Sequence, residues 1–281
     1  MQVLNWNTGS NMTDTYLDNS DKTIHLSVEV IGDDSLPPLL LIHGFLTSNL
    51  QWALNEEVLA KHFQLFKLEL WGHGNSPVPA DSRYYCLDEY LNQIETIREQ
   101  YGIKKWSLMG QSFGAALVLN YGAKYPDRCS AVVVTNSNSA FSSNYANTGP
   151  DQVEKMGNVK QLLTEKGVRG LPVHPIHSTR IETVLKDKMV KVADAIPLSA
   201  VFGHINMLKD ISIDTKLRPV LCPSLLMNGI FEKEFQAIVA SLKIHWPALA
   251  VKNLPAGHSV NLDCSQEFNA EVLNWLSCQL D

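Results

Sequence analysis

A serine with glycine two residues to either side, Gly110-Gln111-Ser112-Phe113-Gly114, is where the 281-residue chain first shows chemistry in its spacing. It falls where a short apolar run, Trp106 to Met109, gives way to a helical pattern beginning near Phe113, the setting in which a sharp strand-to-helix turn lifts a serine hydroxyl clear of the backbone. Such a turn is crowded, so the flanking positions must lack side chains. Ala115 and Ala116 let the helix that follows approach a sheet closely. The plainer alternative is a structural tight turn with no role in chemistry. A serine hydroxyl attacks only when a base removes its proton, and the base is expected late in the chain on a loop that follows a strand.

His258, in Pro255-Ala256-Gly257-His258-Ser259, meets that requirement. His25 lies at a strand edge, His62 and His245 at helix ends, and His174, His177 and His204 in a middle segment, all read as solvated or structural. His43 reads as a structural hydrogen-bonding residue in its turn. The base needs a carboxylate to hold one tautomer, and in this order the acid stands between the serine and the histidine. Glu232, three residues after Gly229, is the favoured acid; Glu234 competes, and either could be a solvated residue in the first turn of a helix. An oxyanion needs two N–H donors. The amide of Phe113 would be one, and the amide of Phe45, in the close-approach turn His43-Gly44-Phe45, the other.

The elements that must position these residues follow from hydrophobic periodicity. Lys22 to Gly32 alternates as a half-exposed strand does, and Pro37 with Pro38 is expected to stop it. Leu39 to Ile42 is continuously apolar, as in a strand buried on both faces, and Phe63 to Leu70 is a further strand. Cys86 to Tyr101 has a helical period, Phe113 to Tyr125 is a helix of small residues, and Ala131 to Thr135 is a strand. From Phe141 to Arg218 no comparable strand is expected, and Gly and Pro interrupt a helical pattern. Leu221 to Gly229, Phe231 to His245, Leu249 to Pro255 and Gln266 to Leu280 then read as strand, helix, strand and helix. Alternating strands and helices predict an α/β fold with a mostly parallel central sheet flanked by helices. Residues 1–140 and 219–281 would form its core, with a helical insertion at 141–218.

Composition fits an ordinary globular protein: 45% hydrophobic and 19% charged residues, with 23 basic against 29 acidic side chains. That balance, without a basic tract, argues against nucleic-acid binding. The five cysteines have no paired spacing that could begin a zinc site and read as buried thiols in a reducing compartment; acyl transfer by Ser112, His258 and Glu232 requires neither a metal nor a cofactor, so none is expected. Asn5, Asn7, Asn11, Asp14, Asp18 and Asn19 break any apolar leader, and no stretch is long and apolar enough to span a membrane. A cytoplasmic location is the expectation. Oligomeric state is not legible.

With these pieces in order the chain resembles the α/β-hydrolases, over about Lys22 to Leu280. His43-Gly44-Phe45, Trp71-Gly72-His73-Gly74-Asn75-Ser76, the Ser112 motif, Gly229 to Glu232 and Gly257-His258 carry the resemblance. Within that superfamily it is similar to small capped carboxylesterases, enol-lactonases and carbon–carbon bond hydrolases. The resemblance implies that the insertion is a helical cap over the site. It departs from the family in having Glu232 where aspartate is usual, and Trp71 where arginine usually precedes Gly-His-Gly. A serine nucleophile sets it apart from the epoxide hydrolases and haloalkane dehalogenases of the fold.

The expected function is hydrolysis of a small-molecule carboxylic ester or thioester, carrier-linked acyl groups included, through an acyl-enzyme. Lactone or vinylogous diketone cleavage and acyl transfer could use the same residues, and a non-catalytic ligand-binding protein on this fold is the reading from another class. Residues 151–218 hold 11 basic and 8 acidic side chains, which could draw anionic substrates, although solvated helix faces account for them more simply.

Overall fold

The computed structural model describes residues 24–142, 157–158, 161–170, 174–213 and 219–280. Seven strands form one sheet: β1 (Val28–Ile31), β2 (Pro38–Ile42), β3 (Gln64–Leu68), β4 (Trp106–Gly110), β5 (Cys129–Thr135), β6 (Ser224–Gly229) and β7 (Ala250–Leu254). Their order is β1-β3-β2-β4-β5-β6-β7, with every pairing parallel except β1 against β3. The expected α/β fold is the one formed.

Period-two alternation sends side chains of one strand to opposite faces. Leu40 and Ile42 of β2 join one apolar layer and Leu39 and Leu41 the other, and all four are fully buried. Helices α2 (Leu87–Gln100), α3 (Phe113–Lys124) and α7 (Phe235–His245) cover the first face. The second is covered by α9 (Ser265–Leu280), through Phe268, Val272 and Leu276, together with Trp52 and with Leu59 of the short helix α1 (Glu56–Leu59). Two further short helices, α4 (Asn138–Phe141) and α8 (Val260–Asp263), follow β5 and β7.

Two expected boundaries move, each for a physical reason. β1 ends at Ile31, ahead of the two prolines, but Pro38 is itself the first residue of β2, paired with Gln64, a position where the missing N–H costs no ladder bond. The helix expected from Phe231 begins at Phe235, because the amides of Ile230 and Phe231 donate to the Leu254 and Ala256 carbonyls 3.1 and 2.9 Å away instead of entering a helix. The cysteines also differ from expectation. Cys129, Cys222 and Cys264 are buried, but Cys86, at the start of α2, and Cys278, in α9, are exposed.

Between β5 and β6 the described residues contain no strand: 161–166 are helical, and α5 (Thr183–Asp194) and α6 (Leu198–Met207) follow. Parts of the expected insertion, including Pro172, lie outside the described residues, as do the polar first twenty residues and Lys22. No described helix is long and apolar enough to cross a membrane.

Parallel strands deliver their C-terminal ends, and the loops that follow, to one edge of the sheet, where α/β folds bind their ligands. Loops after β2, β4, β5, β6 and β7 bring His43 to Leu46, Ser112, Asn136, Glu232 and His258 to that edge.

Candidate active site

Ser112 sits between β4 and α3 with φ 52° and ψ −110°, one of two described non-glycine residues with positive φ. That conformation is costly for a residue with a Cβ, and it persists only where the surroundings dictate it. They do so tightly. A Cβ on Gly110 would stand 2.3 Å from the Gly114 carbonyl oxygen, and one on Gly114 would stand 2.2 Å from that of Ile42. The Gln111 amide donates to the Ile42 carbonyl (3.0 Å), and the Ser137 hydroxyl donates to the Ser112 carbonyl (2.7 Å).

Phe45 and Phe113 lie side by side, ring centroids 6.4 Å apart. Neither backbone amide donates to another group among the described residues, which is what an oxyanion site requires of its donors. The turn carrying Phe45 is held by neutral histidines. His43 donates from Nδ1 to the Gly44 carbonyl (2.7 Å) and accepts the Leu70 amide at Nε2 (3.2 Å). His73 donates to the Trp71 carbonyl (2.9 Å) and accepts the amide of Leu46 (3.3 Å), the other residue with positive φ. His43 is thus the structural hydrogen-bonding residue its sequence context implied. Trp71 is fully buried, its ring edge-on to Tyr84 at 5.5 Å, so it packs into the core.

His204 of α6, read from sequence as solvated or structural, is buried against Phe45 and Phe113, at 5.9 and 5.3 Å between ring centroids. Its Nε2 accepts the Tyr90 hydroxyl at 2.5 Å, and its Nδ1 donates to the Ala200 carbonyl at 2.7 Å.

Glu232 and His258 meet. His258 Nδ1 lies 3.0 and 3.1 Å from the two carboxylate oxygens, with 16% and 12% of the respective side chains exposed. Glu234, the competing acid, is exposed at the N-cap of α7. Burial pushes the Glu232 carboxyl up, but the His258 hydrogen bond and charge and the Asn136 amide together hold it below the ordinary value. Asn136 is a residue that no motif announced. Fully buried at the end of β5, it donates from Nδ2 to Glu232 (2.8 Å) and to the Gly229 carbonyl (3.0 Å), and its Oδ1 accepts the Gly229 amide (2.9 Å). The other ring nitrogen of His258 has no partner among the described residues. The arrangement is thus a serine in a strained turn, two unengaged amides, and an oriented imidazole.

A cavity of about 620 Å³ lies elsewhere, between β3, the 48–53 segment and α5, lined by Glu29, Lys67 and Glu69 among others; neither Ser112 nor His258 borders it. Among the described residues no group of acidic, cysteine or histidine side chains is arranged to hold a metal ion.

Burial holds His43 at about 3, helped by the nearby His73, and holds His73 and His174 at about 4. An unfolded chain takes up these protons near pH 6.5, whereas the folded one refuses them until near pH 3 to 4. Stability is therefore fully present above about pH 6.5 and is lost as pH falls toward the folded values. Three such groups cost up to about 4 kcal/mol per pH unit. Thermal melts are expected to show Tm falling by roughly 10 °C between pH 6.5 and 5.5. A flat profile would show that the folded state accommodates the protons.

Residues 37–166 match the family model described as alpha/beta hydrolase fold. The chain is 21% identical over 257 residues to a putative 2-succinyl-6-hydroxy-2,4-cyclohexadiene-1-carboxylate synthase of Bacillus subtilis (strain 168), covering 88% of this chain and 92% of that one. It is 34% identical over 122 residues to the (lyso)-N-acylphosphatidylethanolamine lipase of Homo sapiens, 43% of this chain but only 35% of the lipase's length. Among solved structures, one from a study of carboxylesterases of Nitrososphaera gargenis superimposes with a TM-score of 0.77 at 18% identity, covering 94% of this chain and 98% of its own.

Proposed function

We propose, from the α/β-hydrolase fold that the chain adopts, that it is a serine hydrolase that cleaves a carboxylic ester or thioester through an acyl-enzyme. One observation carries the reading. Ser112 is held at positive φ beside the two unengaged amides of Phe45 and Phe113, in a chain whose only glutamate–histidine pair among the described ion pairs is Glu232 with His258.

Ser112 Oγ attacks the acyl carbon as His258 Nε2 takes its proton. The amides of Phe45 and Phe113 receive the negative charge that develops on the carbonyl oxygen. The bond from carbon to the leaving oxygen or sulfur then breaks, and His258 returns its proton to that atom. Water, deprotonated by the same nitrogen, releases the acid and restores the serine. Glu232 fixes the ring with Nδ1 protonated and stabilises the imidazolium; Asn136 fixes Glu232. The step needs no cofactor.

The insertion at 141–218 acts as the cap. Support comes from His204 packed against both phenylalanines and from His174, whose Nε2 donates to the Leu46 carbonyl at 2.9 Å. A small or medium acyl group, in a soluble cytoplasmic setting, fits this reading.

The test is hydrolysis of p-nitrophenyl esters across a series of acyl lengths. Turnover that peaks at one length is expected, because a capped pocket has a fixed depth. A folded protein that turns over none of the series, nor lactones or thioesters, and is stabilised by an ester without consuming it would favour the ligand-binding alternative.

A further inference from the structure

The acid, the base and one oxyanion donor stand on loops after β6, β7 and β2, with no covalent link between them short enough to fix their relative positions. Rate is steep in such positions: a displacement of about 1 Å can cost about 100-fold. One short stretch of the insertion, 174–180, touches all three loops. At its start, His174 donates to the Leu46 carbonyl beside Phe45 (2.9 Å).

At its end, Ser178 and Arg180 reach the other two. The Ser178 hydroxyl donates to Asp263 Oδ1 (2.5 Å), and Asp263 Oδ2 accepts the amide of Gly257, the residue before His258 (2.9 Å). Arg180 donates from Nη1 to the Pro255 carbonyl and to Cys264 Sγ (3.1 Å), and its guanidinium lies over the ring of Phe231, the residue before Glu232, 5.5 Å from the centroid. The Ser178 hydroxyl also accepts the Arg180 amide (3.1 Å), so the two side chains are set by one turn. Within the core, the acid and base loops are joined by only a few backbone bonds, among them Phe231 to Ala256 (2.9 Å).

We propose that Ser178 and Arg180 are positioning residues, a clasp by which the insertion holds the Glu232 loop and the His258 loop in register. The proposal deepens the serine-hydrolase reading and rests on it. The clasp makes assembly of the acid–base pair depend on the insertion being seated, so a chain whose insertion lifts away has a misaligned base as well as an open site.

The test is the double variant Ser178→Ala/Arg180→Ala, with Ser178→Thr as the conservative control, each assayed on the best p-nitrophenyl ester and for the rate of labelling by a serine-directed organophosphonate. The double variant is expected to lose about tenfold or more in kcat, and as much in labelling rate, with KM within about twofold of wild type. Ser178→Thr, which keeps the hydroxyl, is expected to retain wild-type kcat. A double variant whose Tm falls while kcat and labelling rate stay at wild-type values would overturn the clasp and leave the serine-hydrolase reading intact. A double variant too unstable to assay is replaced by Arg180→Ala alone, for which a kcat equal to wild type overturns Arg180's part. Absence of labelling in wild type itself would overturn the parent reading instead.

Discussion

Replacing Ser112 with alanine is expected to lower kcat/KM for any ester that the wild type turns over by at least about 10⁴-fold, with Tm unchanged within a few degrees. The loss is large because, in the proposed mechanism, this hydroxyl forms the acyl intermediate. His258 and the two amides would still bind and polarise a carbonyl, leaving a small residual rate. The fold is indifferent to the change because alanine and serine suffer the same strain at φ 52°. Glycine does not. Ser112→Gly is expected to be as inactive as the alanine variant and to be more stable by about 1 kcal/mol, since a residue without a Cβ adopts that conformation freely. Steady-state kinetics with thermal melts on the two variants separate the chemical role from the conformational one. A Ser112→Gly variant that melts below wild type would contradict the strain argument, and an alanine variant within tenfold of wild-type activity would contradict the nucleophile.

Glu232→Gln is the second large effect. The carboxylate accepts from His258 Nδ1 at 3.0 and 3.1 Å and so fixes the tautomer in which Nε2 is free to take a proton. An amide of the same shape can present its N–H to the ring, which stabilises the opposite tautomer and leaves the imidazolium without a counter-charge. The expected loss in kcat is about 10³- to 10⁴-fold at neutral pH, with substrate binding little changed. Glu234→Gln, two residues away and exposed, is expected to stay within about twofold of wild type. Kinetics on the pair decide between the two acids that the sequence left open: a large loss in Glu234→Gln with little in Glu232→Gln would reverse the assignment.

Much of this architecture is legible in the residues because the fold needs particular types at particular places. Gly110 and Gly114 are demanded by carbonyls about 2 Å from where their Cβ atoms would lie, so the turn around Ser112 is written in the sequence. The run Leu39 to Ile42 reads as a buried central strand because both faces of β2 are covered. Contacts between distant segments leave no such mark. Asn136 supports Glu232 across 96 positions of sequence, and Ser178 meets Asp263 across 85. A lone asparagine or serine looks the same whether it faces solvent or a buried partner. His204 is structural, one of the two readings its sequence allowed, and which of them holds could not be read locally for the same reason: its partners Tyr90, Phe45 and Phe113 come from separate segments of the core, and only the folded chain shows that it packs against the two phenylalanines. Pro38 illustrates a local rule overruled by position, as a strand's first residue tolerates what its middle does not.

The central claim is that Ser112 is the nucleophile of an acyl-transfer site, and intact mass after treatment with a serine-directed organophosphonate tests it without knowledge of the substrate. Wild type is expected to gain one adduct, mapped by peptide sequencing to Ser112, and Ser112→Ala to gain none under the same conditions. An adduct that persists in folded Ser112→Ala, or a folded wild type that takes up none, would contradict it.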